Sequence, residues 1–212
     1  MKILLIDNYD SFTYNLFQYV AEMPPVDPVV VRNDELDWNL VDYKKYDGII
    51  VSPGPGRPEI EADFGISRQA ILQSEVPVLG VCLGHQGIGH LFGARVVHAP
   101  TPVHGRQSTI HHNSRGIFGG IPSPIKVARY HSLVVDRSTL PDELVPEAET
   151  DEGILMALQH RTRPIWGIQF HPESIATEFG KRMIGNFLTL TKEWGLVDYA
   201  AKSLSEQTRE PV

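Results

Sequence analysis

The chain contains a single cysteine in 212 residues, and this scarcity excludes an internal disulfide framework. No apolar run approaches the length of a membrane span. Positive charge is also scarce: 19 Lys and Arg stand against 26 Asp and Glu, the formal net charge is -7, and no basic patch stands out. Nucleic acid is therefore not expected as the main partner, because phosphate binding requires clustered Lys and Arg.

The first residues, Met1 to Asp7, are too few and too soon acidic to form a signal peptide. We therefore expect a cytoplasmic protein, and a reducing cytoplasm suits a cysteine that must remain a thiol. The composition, 42% hydrophobic and 21% charged, is that of an ordinary globular domain. We find no internal repeat and no low-complexity linker, so one domain is expected.

Short apolar runs alternate with helical periodicity in the first half of the chain, which predicts an α/β fold with a mostly parallel central sheet and helices on both faces. The second half has short strands separated by turns, which predicts an antiparallel extension and then a closing helix over 179–190. The domain is expected to cover 1–191. Residues 192–212 would form a C-terminal extension, and its apolar residues Trp194, Leu196, Val197 and Tyr199 suggest that its first part packs or stays helical. The end of the extension, from Ser203 to Val212, is expected to be mobile.

The one cysteine, Cys82, lies in the pentapeptide Gly80-Val81-Cys82-Leu83-Gly84, directly after an apolar run. This G-x-C-x-G pattern is the cysteine counterpart of the nucleophile elbow, in which a strained strand-to-helix turn exposes the nucleophile. The N–H groups of the helix that should follow would favour the thiolate. A lone cysteine is more often a small buried hydrophobe, but the flanking glycines make a nucleophile the better interpretation here.

A thiol nucleophile needs a base that is held by a third group. Another apolar run ends in His171, Pro172 bars an immediate helix, and Glu173 follows two residues later, where it could orient the imidazole. Cys82, His171 and Glu173 would then form a triad. The nine histidines also raise the alternative of a zinc site, but H-E-x-x-H is absent, and the adjacent pair His111-His112 would face opposite sides of a strand. We expect no metal.

These residues resemble those of the class I glutamine amidotransferases, which pair a cysteine elbow continuing into Gly84-His85-Gln86 with a late His-Pro-Glu. Further motifs resemble the chorismate-utilising branch, the glutaminase subunits of anthranilate synthase and aminodeoxychorismate synthase. The resemblance covers Met1 to about Thr191 and rests on four further segments: Ile6 to Thr13, Ser52 to Gly56, His104 to Arg106 and Arg129 to Leu133.

The resemblance implies a flavodoxin-like class I amidotransferase fold and an acyl transfer from glutamine to Cys82. By analogy with the nucleophile elbow, the backbone N–H of Leu83 would stabilise the oxyanion, and the second donor is expected at Gly54. Glutamine itself would be bound by residues from three segments of the chain: Gly54, Pro55, Gly56, Gln86, Ser132 and Leu133. No cofactor is implied for this chain; Mg²⁺, where it is used, belongs to the synthase partner.

The implied partner is a chorismate-utilising synthase subunit that receives ammonia from the glutaminase. Loops at the rim of the cleft are best placed to contact it, so we expect Asp10, Ser11 and Arg106 at the interface. Alternatively, Asp10 or Ser11 simply caps the first helix. The product would be aminodeoxychorismate or anthranilate, with a slight preference for the former. Two alternatives stay open: a cysteine amidohydrolase that needs no partner, and a non-catalytic binding subunit.

Overall fold

The computed structural model describes the backbone of residues 1–207 and the side chains of residues 1–197. It contains eleven strands: β1 Lys2–Asp7, β2 Asp27–Arg32, β3 Gly48–Val51, β4 Val78–Val81, β5 Val96–His98, β6 Arg106–His112, β7 Ile125–Arg129, β8 Leu133–Val135, β9 Leu144–Thr150, β10 Leu155–His160 and β11 Ile165–Ile168. The described part of the chain also contains five α-helices: α1 Thr13–Ala21, α2 Glu61–Phe64, α3 Ser67–Gln73, α4 Leu83–Leu91 and α5 Gly180–Gln207.

Nine of these strands form one sheet, in the order β2-β1-β3-β4-β11-β10-β9-β6-β7. The first five are mutually parallel, and the remaining four extend the sheet in antiparallel pairing. β5 and β8 form a separate antiparallel pair. The expected α/β architecture with an antiparallel extension is therefore confirmed. In such sheets, ligands bind beyond the carboxyl ends of the parallel strands, near the point where the strand order reverses.

Of the parallel strands, β1, β3, β4 and β11 are buried on both faces, which explains their nearly continuous apolar sequence. In β1, Ile3 and Leu5 pack with the apolar side chains of α1 and α5, whereas Leu4 and Ile6 pack with those of α3 and α4. Helices therefore cover both faces of the sheet, as expected. Among the described residues, no helix combines the length and the apolar character needed to cross a membrane.

Two parts of the structure differ from the sequence-based expectation. β9 was not predicted as a strand, because Pro146 interrupts it. The closing helix begins at Gly180 and continues to Gln207, so the predicted domain boundary after Thr191 falls inside α5. The predicted mobile end from Ser203 to Val212 falls partly on this helix, and its last five residues, 208–212, lie outside the described residues.

Candidate active site

Cys82 occupies the sharp turn between β4 and α4, with φ 51° and ψ -97°, a backbone conformation that non-glycine residues rarely adopt. Its N–H donates to the carbonyl of Ile168 over 2.8 Å, which ties the turn to β11. Gly80 and Gly84 make the turn possible, since a Cβ on Gly80 would lie 2.5 Å from the carbonyl carbon of Gly84. β4 and α4 can approach this closely only because neither Gly80 nor Gly84 has a side chain.

His171 and Glu173 lie just beyond the carboxyl end of β11, and both side chains are almost completely buried. Nδ1 of His171 is 2.6 Å from Oε1 of Glu173, a short hydrogen bond that fixes the orientation of the ring. The backbone is held as well: Thr177 Oγ1 donates to the carbonyl of His171 over 2.6 Å. The imidazole therefore has one well-defined position beside the cysteine.

The charge state of His171 depends on its two neighbours. Burial lowers the pKa of His171, but hydrogen bonding and charge interactions with Cys82 and Glu173 outweigh this effect and raise the pKa to about 10. Nε2 has no hydrogen-bond partner of good geometry among the described residues, so its proton is available for transfer. A thiolate facing an imidazolium is the arrangement that activates a cysteine nucleophile.

A cavity of about 170 Å³ opens beside Cys82. It is lined by Gly54, Pro55, Gly56, Cys82, Gln86, Tyr130, His131, Ser132 and Leu133. All six residues that the resemblance suggests for glutamine binding are in this set, although they come from three distant segments of the chain. The structure thus brings the predicted substrate-binding residues and the predicted nucleophile to one place, at the carboxyl ends of the parallel strands.

Leu83 and Gly54, the residues of the two predicted oxyanion donors, are neighbours in the structure. Leu83 is the first residue of α4, so its N–H has no acceptor within the helix. A Cβ on Gly54 would lie 3.0 Å from Leu83 Cδ2 and 2.5 Å from the carbonyl oxygen of Asn8, so only glycine fits between the loop and the elbow. Asn8 holds this loop through two hydrogen bonds of 2.9 Å with Ser52.

The three predicted partner residues are all at least partly accessible. Ser11 and Arg106 are exposed and Asp10 is half-buried. Neither Asp10 nor Ser11 is the N-cap of α1, which is Phe12; Asp10 instead accepts a hydrogen bond from the Phe12 N–H. At the two ends of this loop, Asn8 and Thr13 are buried and hold it from inside: Asn8 Nδ2 donates to the carbonyl of Ser52, and Thr13 Oγ1 donates to Asp7 Oδ1.

Comparison with known proteins agrees with this geometry. The family model for "Glutamine amidotransferase class-I" matches residues 4–190, most of the chain. The chain belongs to the class I glutamine amidotransferase family. Its fold is also that of a Thermoplasma acidophilum protein described as a candidate GMP synthase component, with a TM-score of 0.84 and 31% identity over 94% of this chain and 98% of that one.

Two curated relatives of this amidotransferase differ in their overall length. It is 48% identical to aminodeoxychorismate synthase of Streptomyces griseus over 96% of its own length, but spans only 28% of that relative. It is also 48% identical to anthranilate synthase component 2 of Cyanophora paradoxa, over 88% of its own length and 97% of that protein. The chain thus corresponds to a part of the first relative and to nearly the whole of the second.

Two adjacent histidines outside the triad have other partners in this amidotransferase. His111 and His112 do lie next to each other in β6, where His111 pairs with Asp151 and His112 contacts the carbonyl of Pro122. Within residues 1–197, whose side chains are described, no group of three or more His, Cys, Asp or Glu is arranged to hold a metal ion.

Sequence reasoning missed three residues of the amidotransferase site. Tyr130 lines the cavity and makes an edge contact with the ring of His171, with centroids 5.1 Å apart. His131 also lines the cavity, and Gln169 Nε2 lies 3.7 Å from Cys82 Sγ. All three lie in or beside the motifs on which the resemblance rests, and this position is the feature of the sequence that could have pointed to them. The sequence does not indicate their contacts, because these contacts form only in the folded chain.

Proposed function

We propose that this amidotransferase is a glutaminase subunit that hydrolyses L-glutamine to glutamate and passes the ammonia to a chorismate-binding synthase partner. One observation carries the proposal: Cys82 shares a single cavity with the residues expected to bind glutamine, and His171 is positioned by Glu173. The names of the curated relatives, aminodeoxychorismate synthase and anthranilate synthase component 2, support the chorismate branch.

The reaction begins when the thiolate of Cys82 attacks the side-chain carbonyl carbon of glutamine, forming a C–S bond and a tetrahedral oxyanion. The backbone N–H groups of Leu83 and Gly54 stabilise this oxyanion. The imidazolium of His171 then donates its Nε2 proton to the amide nitrogen, the C–N bond breaks and ammonia leaves. Water next attacks the thioester and gives a proton to His171, and glutamate departs as the thiolate re-forms.

Recognition of the substrate's amino-acid end is assigned to Gln86 and to the backbone of Ser132 and Leu133. Nε2 of Gln86 donates to the carbonyl of Leu133 over 3.0 Å, whereas its Oε1 makes no hydrogen bond to the described residues. Gln86 Oε1 is therefore the acceptor for the α-amino group of glutamine. The backbone N–H of Ser132, an exposed residue that lines the cavity, would donate to the α-carboxylate.

The partner would dock on a rim cluster that we define as Phe12, His104 and Tyr130. The Tyr130 ring lies 5.8 Å from that of Phe12 and 5.5 Å from that of His104, and it also packs against His171. Asp10 lies two residues before Phe12, and Arg106, the first residue of β6, lies two residues after His104. Docking near either residue would therefore act on the ring of Tyr130, which contacts the catalytic imidazole.

The proposal predicts that a chorismate-binding synthase subunit from the same source increases glutaminase activity several-fold. The measurement is glutamate release from glutamine with and without the synthase, chorismate being present in both cases. Full activity without the synthase would favour the alternative of an independent amidohydrolase. No glutamate release under either condition would favour the non-catalytic binding subunit.

Substitutions at the rim test the docking site. Asp10→Ala and Arg106→Ala should reduce synthase-stimulated turnover while leaving the low activity without the synthase unchanged, because the triad is untouched. The matched control is Arg115→Ala, an exposed arginine just past the opposite end of β6 from Arg106. If both rim variants bind the synthase and respond to it as the unmodified protein does, the interface lies elsewhere.

The aromatic product depends on the synthase and not on Cys82. We propose aminodeoxychorismate over anthranilate, on overall similarity in the region from His104 to Val135. Any Mg²⁺ requirement is assigned to the synthase, and this chain is proposed to need no cofactor. Purifying the complex and identifying its product from chorismate and glutamine distinguishes the two outcomes.

A further inference from the structure

The side chain of Gln169 has no place in the reaction as described, yet it is fully buried beside the nucleophile. Gln169 directly follows β11, and its Nε2 lies 3.7 Å from the sulfur of Cys82. On its other side, Oε1 of Gln169 accepts a hydrogen bond of 3.3 Å from Nε2 of Gln86. The amide thus bridges the wall of the cavity and the sulfur.

The oxygen and the nitrogen of a glutamine side-chain amide are assigned from its hydrogen-bond partners. These partners therefore determine whether the oxygen or the NH₂ group of Gln169 faces the sulfur. The carbonyl of Leu133 can only accept, and Gln86 lies 3.0 Å from it, so Gln86 must direct its NH₂ group there. The second hydrogen of that NH₂ points to Gln169, which must therefore offer its oxygen. The NH₂ group of Gln169 is left on the side of Cys82.

A second donor holds the carbonyl of Leu133 at the outer end of the network. Arg129 Nε donates to His131 Nε2 over 3.0 Å, and because arginine can only donate, this imidazole nitrogen must accept. Nδ1 of His131 then carries the hydrogen and donates to the carbonyl of Leu133 over 2.9 Å. Burial, helped by the charge of Arg129, lowers the pKa of His131 to about 3, in agreement with a neutral ring. Leu133 is thus held from two sides.

We propose that Gln169 donates an N–H hydrogen bond to the sulfur of Cys82 and so stabilises the thiolate and fixes its direction toward the cavity. A donor favours a charged acceptor over a neutral one, so the bond strengthens when the thiol loses its proton. The role rests on the proposed function, because thiolate attack on glutamine is the step that needs it. Binding of glutamine at Gln86 is thereby linked to the nucleophile through one amide.

Alkylation tests this proposal directly, since Cys82 is the only cysteine in the chain. The rate of modification by iodoacetamide, followed by intact mass between pH 5 and pH 10, reports the thiolate fraction at this one site. We expect Gln169→Leu to move the midpoint of this pH profile upward by about one pH unit, which lowers the rate below the midpoint by about tenfold. Gln159→Leu, on the neighbouring strand β10, should leave the midpoint unchanged.

If Gln169→Leu does not fold, a second variant tests the proposed hydrogen bond to the sulfur. Gln169→Glu keeps the shape and the acceptor for Gln86 but puts a carboxylate oxygen beside the sulfur, so its upward shift should be the larger one. A midpoint within about 0.3 pH units of the unmodified protein in a folded variant, equivalent to a twofold change in thiolate, would overturn the proposal. An equal loss of rate at every pH would indicate a packing role only. Because alkylation needs no glutamine, failure of the proposed function would show separately, as absent glutamate release.

Discussion

Replacing Cys82 with alanine is expected to lower glutamate release by at least about 10⁴-fold, because the thioester cannot form without the sulfur. Removing the nucleophile of a triad eliminates nearly all of the effect of the other members, since they act as a unit. The measurement is glutamate production in the presence of the synthase, where the activity of the unmodified protein is highest and the loss is easiest to quantify.

The Cys82→Ala variant should still fold and still bind its partner. Alanine fits where cysteine did, and the turn is held by the hydrogen bond from the residue 82 N–H to Ile168 rather than by the side chain. Unchanged circular dichroism and unchanged binding to the synthase would show that only chemistry was lost. Glutamine hydrolysis by this variant near the rate of the unmodified protein would contradict the mechanism.

Replacing Glu173 with glutamine is expected to lower kcat by about 10⁴-fold, as replacement of the orienting carboxylate by an amide does in serine triads. Glutamine has almost the same shape, so the ring of His171 keeps its place. The imidazole loses its anionic partner, the carboxylate of Glu173, whose Oε1 lies 2.6 Å from Nδ1 in the native structure. The measurement is glutamate release across a range of pH.

The pH profile gives this variant a second readout. Burial lowers the pKa of His171, and Cys82 and Glu173 raise it, so removing the carboxylate must lower it. The imidazolium then loses its proton at lower pH, and the alkaline limb of kcat/KM should move toward acid. Glu149→Gln is a suitable control, because Glu149 is in β9 and pairs with Arg137, away from the cavity. An alkaline limb that moves the other way would show that Glu173 does not act on His171.

The triad residues were predictable because each lies in a short motif at the end of an apolar run. Parallel strands bring their carboxyl ends to one edge of a sheet, so residues after β4 and β11 had to come close. The glycine spacing around Cys82 was the strongest local signal, and its cause is the contact between Gly80 and Gly84. Local sequence and the topology of an α/β sheet were sufficient for this part of the site.

The role of Gln169 was not predictable, because it is defined by partners far apart in the chain. Gln86 is 47 residues from Leu133 and 83 residues from Gln169, and the orientation of all three groups depends on carbonyls and side chains that no single motif contains.

β9 was not predicted because its sequence contains a proline, a residue that rarely occurs inside a strand. Pro146 removes a donor, and two irregularities in the pairing with β10, between Leu155 and Ala157 and between Ala157 and Leu158, accommodate the strand. The closing helix was predicted to end at Leu190, with only the first part of the extension expected to pack or stay helical, whereas α5 continues to Gln207. Whether a segment such as β9 becomes a strand depends on its pairing with other strands, which its own sequence does not indicate.

Labelling with a glutamine analogue that carries a chloromethyl ketone in place of the side-chain amide tests the central claim most directly. The account predicts one label per chain, attached to Cys82, with a rate that glutamine lowers in proportion to its occupancy of the cavity and that asparagine, one methylene shorter, does not. Intact mass and peptide mapping provide the measurement. Labelling at another residue, or labelling of Cys82 that saturating glutamine does not slow, would contradict the claim that this cavity binds glutamine for attack by Cys82.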